Sequence, residues 1–291
     1  MLDILLTGSS GFLGNYFIDK YSKKYNIKTF SFLNDDFKAL DLSEIDTVLH
    51  LSALVHKMGE ISALEYEKSN VIETVELAKK AKKSGVRHFI FMSTVKVYGE
   101  ETEIAYTENS ECKPKDQYGK SKLKAEGEIQ KLIDDSFVVS IVRTPIVYGY
   151  GVKANIKNLI SLVKKVPILP FDDIQNRRSM VYIGNLCNLI DTIVQNGVSL
   201  ESKSGIFLAS DDKALSTTRL IELIAKELDK KIFLIKPPFF EIILKRVKPS
   251  FHKRLYKSLE VDNSMTKKSL AFENLYTTED GIKFMIHGES R

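Results

Sequence analysis

Tyr118 and Lys122 stand four residues apart in a segment rich in Lys, Glu and Ala, so a helix there would project both side chains from one face. A tyrosine hydroxyl, with a pKa of about 10, is a poor base at neutral pH. Bringing it near 7 takes roughly 4 kcal/mol of phenolate stabilisation, which an ammonium and a second bound cation can supply together. The pair is therefore equipped to move a proton at a hydroxyl group. Spacing alone does not decide the matter, because Tyr16 and Lys20 repeat it. That first pair falls where no substrate is expected and reads as structural. The second follows Met92-Ser93-Thr94-Val95-Lys96-Val97-Tyr98-Gly99, a strand ending in hydroxyls, and at the end of a parallel strand such groups face the ligand crevice.

These residues need a scaffold, and the scaffold opens the chain. Leu5-Leu6-Thr7-Gly8-Ser9-Ser10-Gly11-Phe12-Leu13-Gly14 joins a first strand to a first helix. Gly8 permits a tight turn, Gly11 lets backbone approach a diphosphate, Gly14 allows close packing, and the helix N-terminus offers free N–H groups to the anion. Met out of context, three glycines are weak evidence; between a strand and a helix they predict dinucleotide binding. An acid on the adenosine ribose is expected about 20 residues after the last glycine, where Asn34, Asp35 and Asp36 fall. With no Arg nearby to meet a 2′-phosphate, NAD is favoured and NADP stays open.

Strand-like runs at 3–6, 28–33, 47–51, 88–92 and 138–142 show little polar alternation, as buried parallel strands do. Helical segments at 12–25, 63–84 and 118–133 separate them, with Gly85 as a C-cap. The pattern predicts an α/β fold, a Rossmann-type doubly wound parallel sheet. Beyond Gly149 come an extended segment marked by Pro167 and Pro170, a helix near 184–195, a strand near 205–209 and a helix at 217–228. The expected division is a dinucleotide-binding domain over 1–149, with a returning segment near 179–210, and a smaller α/β substrate subdomain from 150–178 and 211–291.

Composition narrows the class. The chain has 291 residues with 43% hydrophobic content, enough for a sizeable core. Met1 to Gly8 lacks the marks of a signal peptide and no apolar run approaches about 18 residues, so a cytoplasmic location is expected. Cys112 and Cys187 make no disulfide framework, and the five histidines show no metal-ligand spacing. The formal charge is +5, yet residues 236–257 alone hold five lysines and two arginines against Glu241. The rest is close to neutral, which disfavours nucleic acid as a partner.

The GxxGxxG spacing resembles the extended branch of the short-chain dehydrogenase/reductases. With Thr94-Val95-Lys96-Val97-Tyr98-Gly99 and Tyr118-Gly-Lys-Ser-Lys122, nearly the whole chain is similar to the NAD-dependent nucleotide-sugar epimerase/dehydratase family. The resemblance implies that Asp41 and Leu42 contact adenine, that Leu51, Ser52 and Ala53 lie along the cofactor, and that Ser93 sits near the nicotinamide. Phe12 and Leu13 belong to the phosphate turn. Thr94 takes the place of the catalytic Ser/Thr that holds the sugar oxygen, and Lys122 holds both Tyr118 and the cofactor ribose. Where the family's dehydratases carry Thr-Asp-Glu, this chain has Thr94-Val95-Lys96, without the acids that drive loss of water.

Arg143-Thr-Pro-Ile-Val-Tyr-Gly149 resembles the entry to the substrate domain. Gln175-Asn-Arg177-Arg178-Ser-Met-Val-Tyr-Ile183 resembles the segment whose arginine grips a sugar diphosphate, which implies Arg178, with Arg177 its solvated neighbour. Gly184-Asn185 stands where the family often has Asp. Asn155 matches a loop asparagine near the substrate phosphates, and His56 is a further candidate for substrate contact. Several segments look like proteins of bacterial capsule and O-antigen assembly. The expected activity is a UDP-sugar 4-epimerase of surface-polysaccharide synthesis; a one-way 4-keto-sugar reductase uses the same residues, and a regulatory module without turnover is a third possibility. The resemblance also implies a homodimer. For the basic stretch, which alternates Phe, Ile and Leu with Lys and Arg, two readings compete: a cover over the nucleotide end of the cleft, or a peripheral contact with anionic lipid. Pro249 interrupts it, and the cover is preferred.

Overall fold

A computed structural model describes residues 1–55, 61–197 and 205–289. His56 lies outside the described residues. The strands are β1 Asp3–Thr7, β2 Asn26–Phe30, β3 Thr47–His50, β4 His88–Thr94, β5 Val138–Thr144, β6 Ile146–Tyr148, β7 Ile168–Leu169, β8 Met180–Tyr182, β9 Gly205–Leu208 and β10 Phe233–Leu234. The helices begin with α1 Phe12–Tyr21, α2 Ala63–Tyr66, α3 Glu73–Lys83, α4 Gln117–Gln130, α5 Ala154–Lys165 and α6 Ile183–Gly197. They continue with α7 Thr217–Glu227, α8 Phe240–Val247, α9 Pro249–Tyr256, α10 Ser264–Leu270 and α11 Thr278–His287.

A six-stranded parallel sheet runs in the order β2-β1-β3-β4-β5-β9. From β1 the chain moves one way to β2 and then returns to the other side for β3, so the order reverses beside β1. That is the switch point at which doubly wound sheets bind ligands. Strands β3, β4 and β5 are buried almost throughout, because helices cover both faces. One core cluster, with Leu5, Val48, Phe89, Leu77 and Ile129, fills the side of α3 and α4. The other, with Ile4, Phe17, Leu49, Leu186 and Ile190, fills the side of α1 and α6 and continues into the substrate region. Two short parallel pairs, β6 with β8 and β7 with β10, lie outside the main sheet.

The structure departs from the sequence pattern in two places that matter. The strand expected at 28–33 runs instead from Asn26 to Phe30, and Leu33 is 95% exposed in the turn beyond it. As an edge strand, β2 takes its register from β1, not from its own apolar residues. The single helix expected over 63–84 is broken by a π-helical turn, Glu67–Ile72. Widening the helix there turns Asn70 fully inward, where it accepts a hydrogen bond from Leu54 N (2.7 Å) and donates to Leu54 O (3.0 Å) and Ser121 Oγ (3.0 Å).

Candidate active site

The glycine turn closes only because two positions are bare. Gly8 has φ +75°, and a Cβ there would lie 2.8 Å from Ser52 N; a Cβ on Gly14 would lie 2.3 Å from Gly8 O. Gly11 caps α1 without a side-chain hydrogen bond, and the first turn holds no acid. Its N–H groups and the positive end of the helix dipole are thus left for an anion, which fits a dinucleotide diphosphate. Phe12 and Leu13 pack on the core as the helix begins, and the Phe12 ring approaches Gly149. Across the switch point, Leu51, Ser52 and Ala53 are half-buried, and Ser52 N donates to Thr7 Oγ1 (3.3 Å). Asp35 folds back to accept from Ser31 N (2.8 Å), at the end of β2. Asp41 is exposed and accepts from Ser43 N (2.9 Å), which holds its carboxyl below the ordinary range, while Leu42 is in the core.

Tyr118 and Lys122 lie on α4, whose N-cap Asp116 accepts from Gly119 N (2.7 Å) and also pairs with Lys96. Lys96 belongs to the tight turn Val95–Val97, of which Thr94 is the N-cap, accepting from Lys96 N (3.3 Å). The first turn of α4 is therefore clamped to the end of β4. A Cβ on Gly119 would lie 2.8 Å from Lys96 O. One turn on, Lys122 reaches back to β4, its ammonium 4.3 Å from the centre of the Phe91 ring. The start of α4, which carries Tyr118, is so held at the turn that Thr94 caps at the C-terminal end of β4, with Lys122 one turn further on against Phe91.

Their electrostatics are unusual. Lys122 is 1% exposed, and burial brings it down to about 7, with Glu126 opposing the shift. It makes a ring contact but no ion pair or hydrogen bond with the described residues. Tyr118 is half-buried beside Tyr66, and burial, then the Asp116 carboxylate, raises its phenol above the ordinary 10. Without a further cation the phenolate is disfavoured; with one, the same desolvated setting magnifies the attraction.

Behind the site runs a buried polar chain that the sequence reading missed. Thr7 Oγ1 bonds His50 Nδ1 (2.7 Å), His50 Nε2 bonds Thr74 Oγ1 (3.0 Å), and Thr74 donates to Asn70 O (2.9 Å). Asn70 donates to Ser121, whose hydroxyl donates to Tyr118 O (2.8 Å). It ties the glycine turn to α4. The i, i+4 spacing of Asn70 and Thr74 was its one visible trace. Ser93 turns its hydroxyl to Glu126, and its carbonyl accepts from Thr144 Oγ1 (3.1 Å). Glu126 is held by Arg143 in a two-bond buried pair (3.1 and 2.5 Å), and Arg143 also donates to Tyr98 Oη (2.7 Å).

On the substrate side, Arg177 is exposed and forms a two-bond pair with Glu260 (2.7 and 2.6 Å). Arg178 is half-buried, donates to Lys257 O (2.9 Å) and is shifted down by burial and by the nearby cation Arg254. Arg254, from α9, donates to Asn155 Oδ1 (3.3 Å). Two guanidiniums are so drawn together with no carboxylate pairing either among the described residues, an arrangement suited to a diphosphate. Arg254 was hidden in the basic run; nothing local marks it out from Lys253. Asn185 donates to the buried carboxylate of Asp211 (2.8 Å), which also accepts from Tyr148 Oη (2.6 Å) and Tyr182 N (3.0 Å). A donor is required at 185, which is why Asn fits there. Tyr16 and Lys20, which repeat the spacing of Tyr118 and Lys122, both bond Glu289. Among the described residues there is no cluster of potential metal ligands and no helix long and apolar enough to cross a membrane.

Residues 4–207 match the model of the NAD dependent epimerase/dehydratase family. The UDP-glucose 4-epimerase of Vibrio cholerae is 36% identical, over 96% of this chain and 93% of that protein. The N-acetyl-alpha-D-glucosaminyl-diphospho-ditrans,octacis-undecaprenol 4-epimerase of Escherichia coli O157:H7 is 26% identical, over 81% and 76%. Among solved structures, the UDP-glucuronic acid 4-epimerase of Bacillus cereus in complex with NAD superposes with a TM-score of 0.78 at 20% identity, covering 99% of this chain and 98% of that one. The UDP-N-acetylglucosamine 4-epimerase of the same organism gives 0.79 at 19% identity, over 97% of each chain.

Proposed function

The chain belongs to the NAD dependent epimerase/dehydratase family, and on that premise we propose that it inverts C4 of a UDP-linked hexose. The glycine turn at Gly8, Gly11 and Gly14 would hold NAD, which would supply hydride acceptance and return at C4 and a positive ring to favour the phenolate. Tyr118 as phenolate accepts the proton of the C4 hydroxyl and gives it back after the 4-keto sugar has turned over. Thr94 orients the sugar oxygen. Lys122, desolvated and close to neutrality, holds Tyr118 and the cofactor ribose. Arg178, Arg254 and Asn155 take the sugar diphosphate.

The observation that carries this reading is the end of β4. Val95, where the related dehydratases have an acid, is buried in an apolar cluster, and Lys96 pairs with Asp116. Glu126 is consumed by Arg143 and Ser93. Of the acids described at this end of β4, Asp116 is paired with Lys96 and Glu126 with Arg143, which supports proton transfer at C4 over elimination of water. The test is to incubate the purified protein with UDP-glucose, UDP-galactose and their N-acetyl forms, without added reductant, and to follow the sugars by NMR. Interconversion of 4-epimers, abolished in Tyr118→Phe with the fold intact, supports the proposal. Turnover only of 4-keto sugars, with stoichiometric consumption of NAD(P)H, makes the enzyme a reductase and overturns it.

A further inference from the structure

The first turn of helix α8 lines a cavity with Gln175, Asn176 and Tyr256, and the rest of the helix stands clear of it. Only Phe240 and Leu244, one turn apart, pack on the core, and no residue of the helix is buried. At 100° per residue Ile242, 57% exposed, falls opposite that pair, and Phe239 at 73%, Ile243 at 57% and Val247 at 69% fill the arc between it and the core side. Phe239 holds a left-handed backbone, φ +61°, a conformation that bulky aromatics rarely take, and it does so with its ring in solvent. Lys245, Arg246, Lys248 and Lys253 are exposed around these apolar groups. The one acid of the stretch, Glu241, lies within 3.1 Å of His252 Nε2.

Pro249 does not break this face. It is the first residue of α9, and the chain turns before it at Lys248. Beyond the turn α9 goes inward, burying His252 and Leu255 and presenting Arg254 to Asn155. Of the two helices of the basic stretch, α9 turns Arg254 to Asn155, and α8 leaves Ile243 and Val247, beyond its first turn, in solvent.

We infer that α8 together with Phe239 is a docking surface for an anionic lipid bilayer. Four large apolar side chains in water on one short helix and its cap, interleaved with cations, call for a partner. A second copy of this face would bring its cations against their like, since a two-fold contact pairs a patch with itself. An anionic bilayer satisfies both features: Phe239, Ile242, Ile243 and Val247 enter the acyl boundary while the lysines and arginine meet headgroup phosphates. The enzyme then sits on the membrane by one helix, without spanning it.

The chain contains no tryptophan. Phe239→Trp therefore gives one indole, at the tip of the proposed surface. With full-length protein and vesicles of phosphatidylglycerol and phosphatidylethanolamine at low salt, co-sedimentation and a blue shift of that indole are expected. Vesicles of phosphatidylcholine alone should give neither. Removing charge with Lys245→Gln and Arg246→Gln should weaken binding about 25-fold, at about fivefold for each cation. High salt should weaken it in the same direction. Ile243→Glu with Val247→Glu should abolish binding and leave turnover of the sugar in solution unchanged. The inference is overturned by absence of binding to phosphatidylglycerol vesicles at low salt, or by binding that survives the Ile243/Val247 changes. It is equally overturned if the wild type self-associates in solution and those changes make it monomeric, since the face would then meet a second copy.

Discussion

Replacing Lys122 by Met should make the cofactor-free protein more stable while destroying its activity. Burial lowers this ammonium from the ordinary 10.5 to about 7, a difference of about 3.5 pH units at roughly 1.4 kcal/mol each, or a ceiling near 5 kcal/mol. Met matches the length of the side chain and keeps the apolar contact with Phe91, but gives up the cation–ring attraction at 4.3 Å, about 1 kcal/mol. A net gain of about 2–4 kcal/mol is expected at pH 6. The pH dependence carries its own signature. Below pH 7 the folded and unfolded wild-type chains both hold the proton, and the full burial penalty is present. Between 7 and 10.5 the unfolded chain holds a proton that the folded chain has shed, so wild-type stability climbs with pH and the advantage of the variant shrinks. Above 10.5 the ammonium penalty has gone. Urea unfolding of both proteins at steps from pH 6 to 10 measures the difference directly, with other titrating groups common to both. A variant less stable than wild type at pH 6, or a difference flat across that range, would refute the reasoning.

Three further outcomes are expected. Glu126→Gln leaves Arg143 uncompensated in a buried site and should cost about 3–5 kcal/mol, seen as a Tm lower by roughly 10 °C, with circular dichroism otherwise unchanged. Asn185→Asp sets a second carboxylate against Asp211, whose own carboxyl burial already raises. It should destabilise by about 2 kcal/mol or more at pH 7. Groups with raised folded-state pKa favour folding at low pH, so thermal scans should show the loss narrowing as pH falls toward 5 and widening as it rises. Arg254→Gln removes one of two guanidiniums at the proposed diphosphate site and should raise KM for the UDP-sugar about 10- to 100-fold while kcat stays within about threefold, by steady-state kinetics.

The parts of this protein that local chemistry specifies were legible in its sequence. Gly8 and Gly14 are needed because the backbone passes too close for a Cβ, and the β-branched runs of β3, β4 and β5 read as buried strands because helices cover both faces. Tyr118 and Lys122 share a face because a helix repeats every 3.6 residues. What the chain alone could not announce is anything set by a partner distant in sequence. The edge strand β2 lost its apolar register to β1, and the helix at 63–84 widened so that Asn70 could meet Leu54 and Ser121. Arg254 became distinct from its basic neighbours only when α9 turned it toward Asn155 and Arg178. The depressed ammonium of Lys122 and the outward apolar face of α8 have the same origin. Desolvation and exposure are properties of what packs around a residue, and only the folded chain decides that.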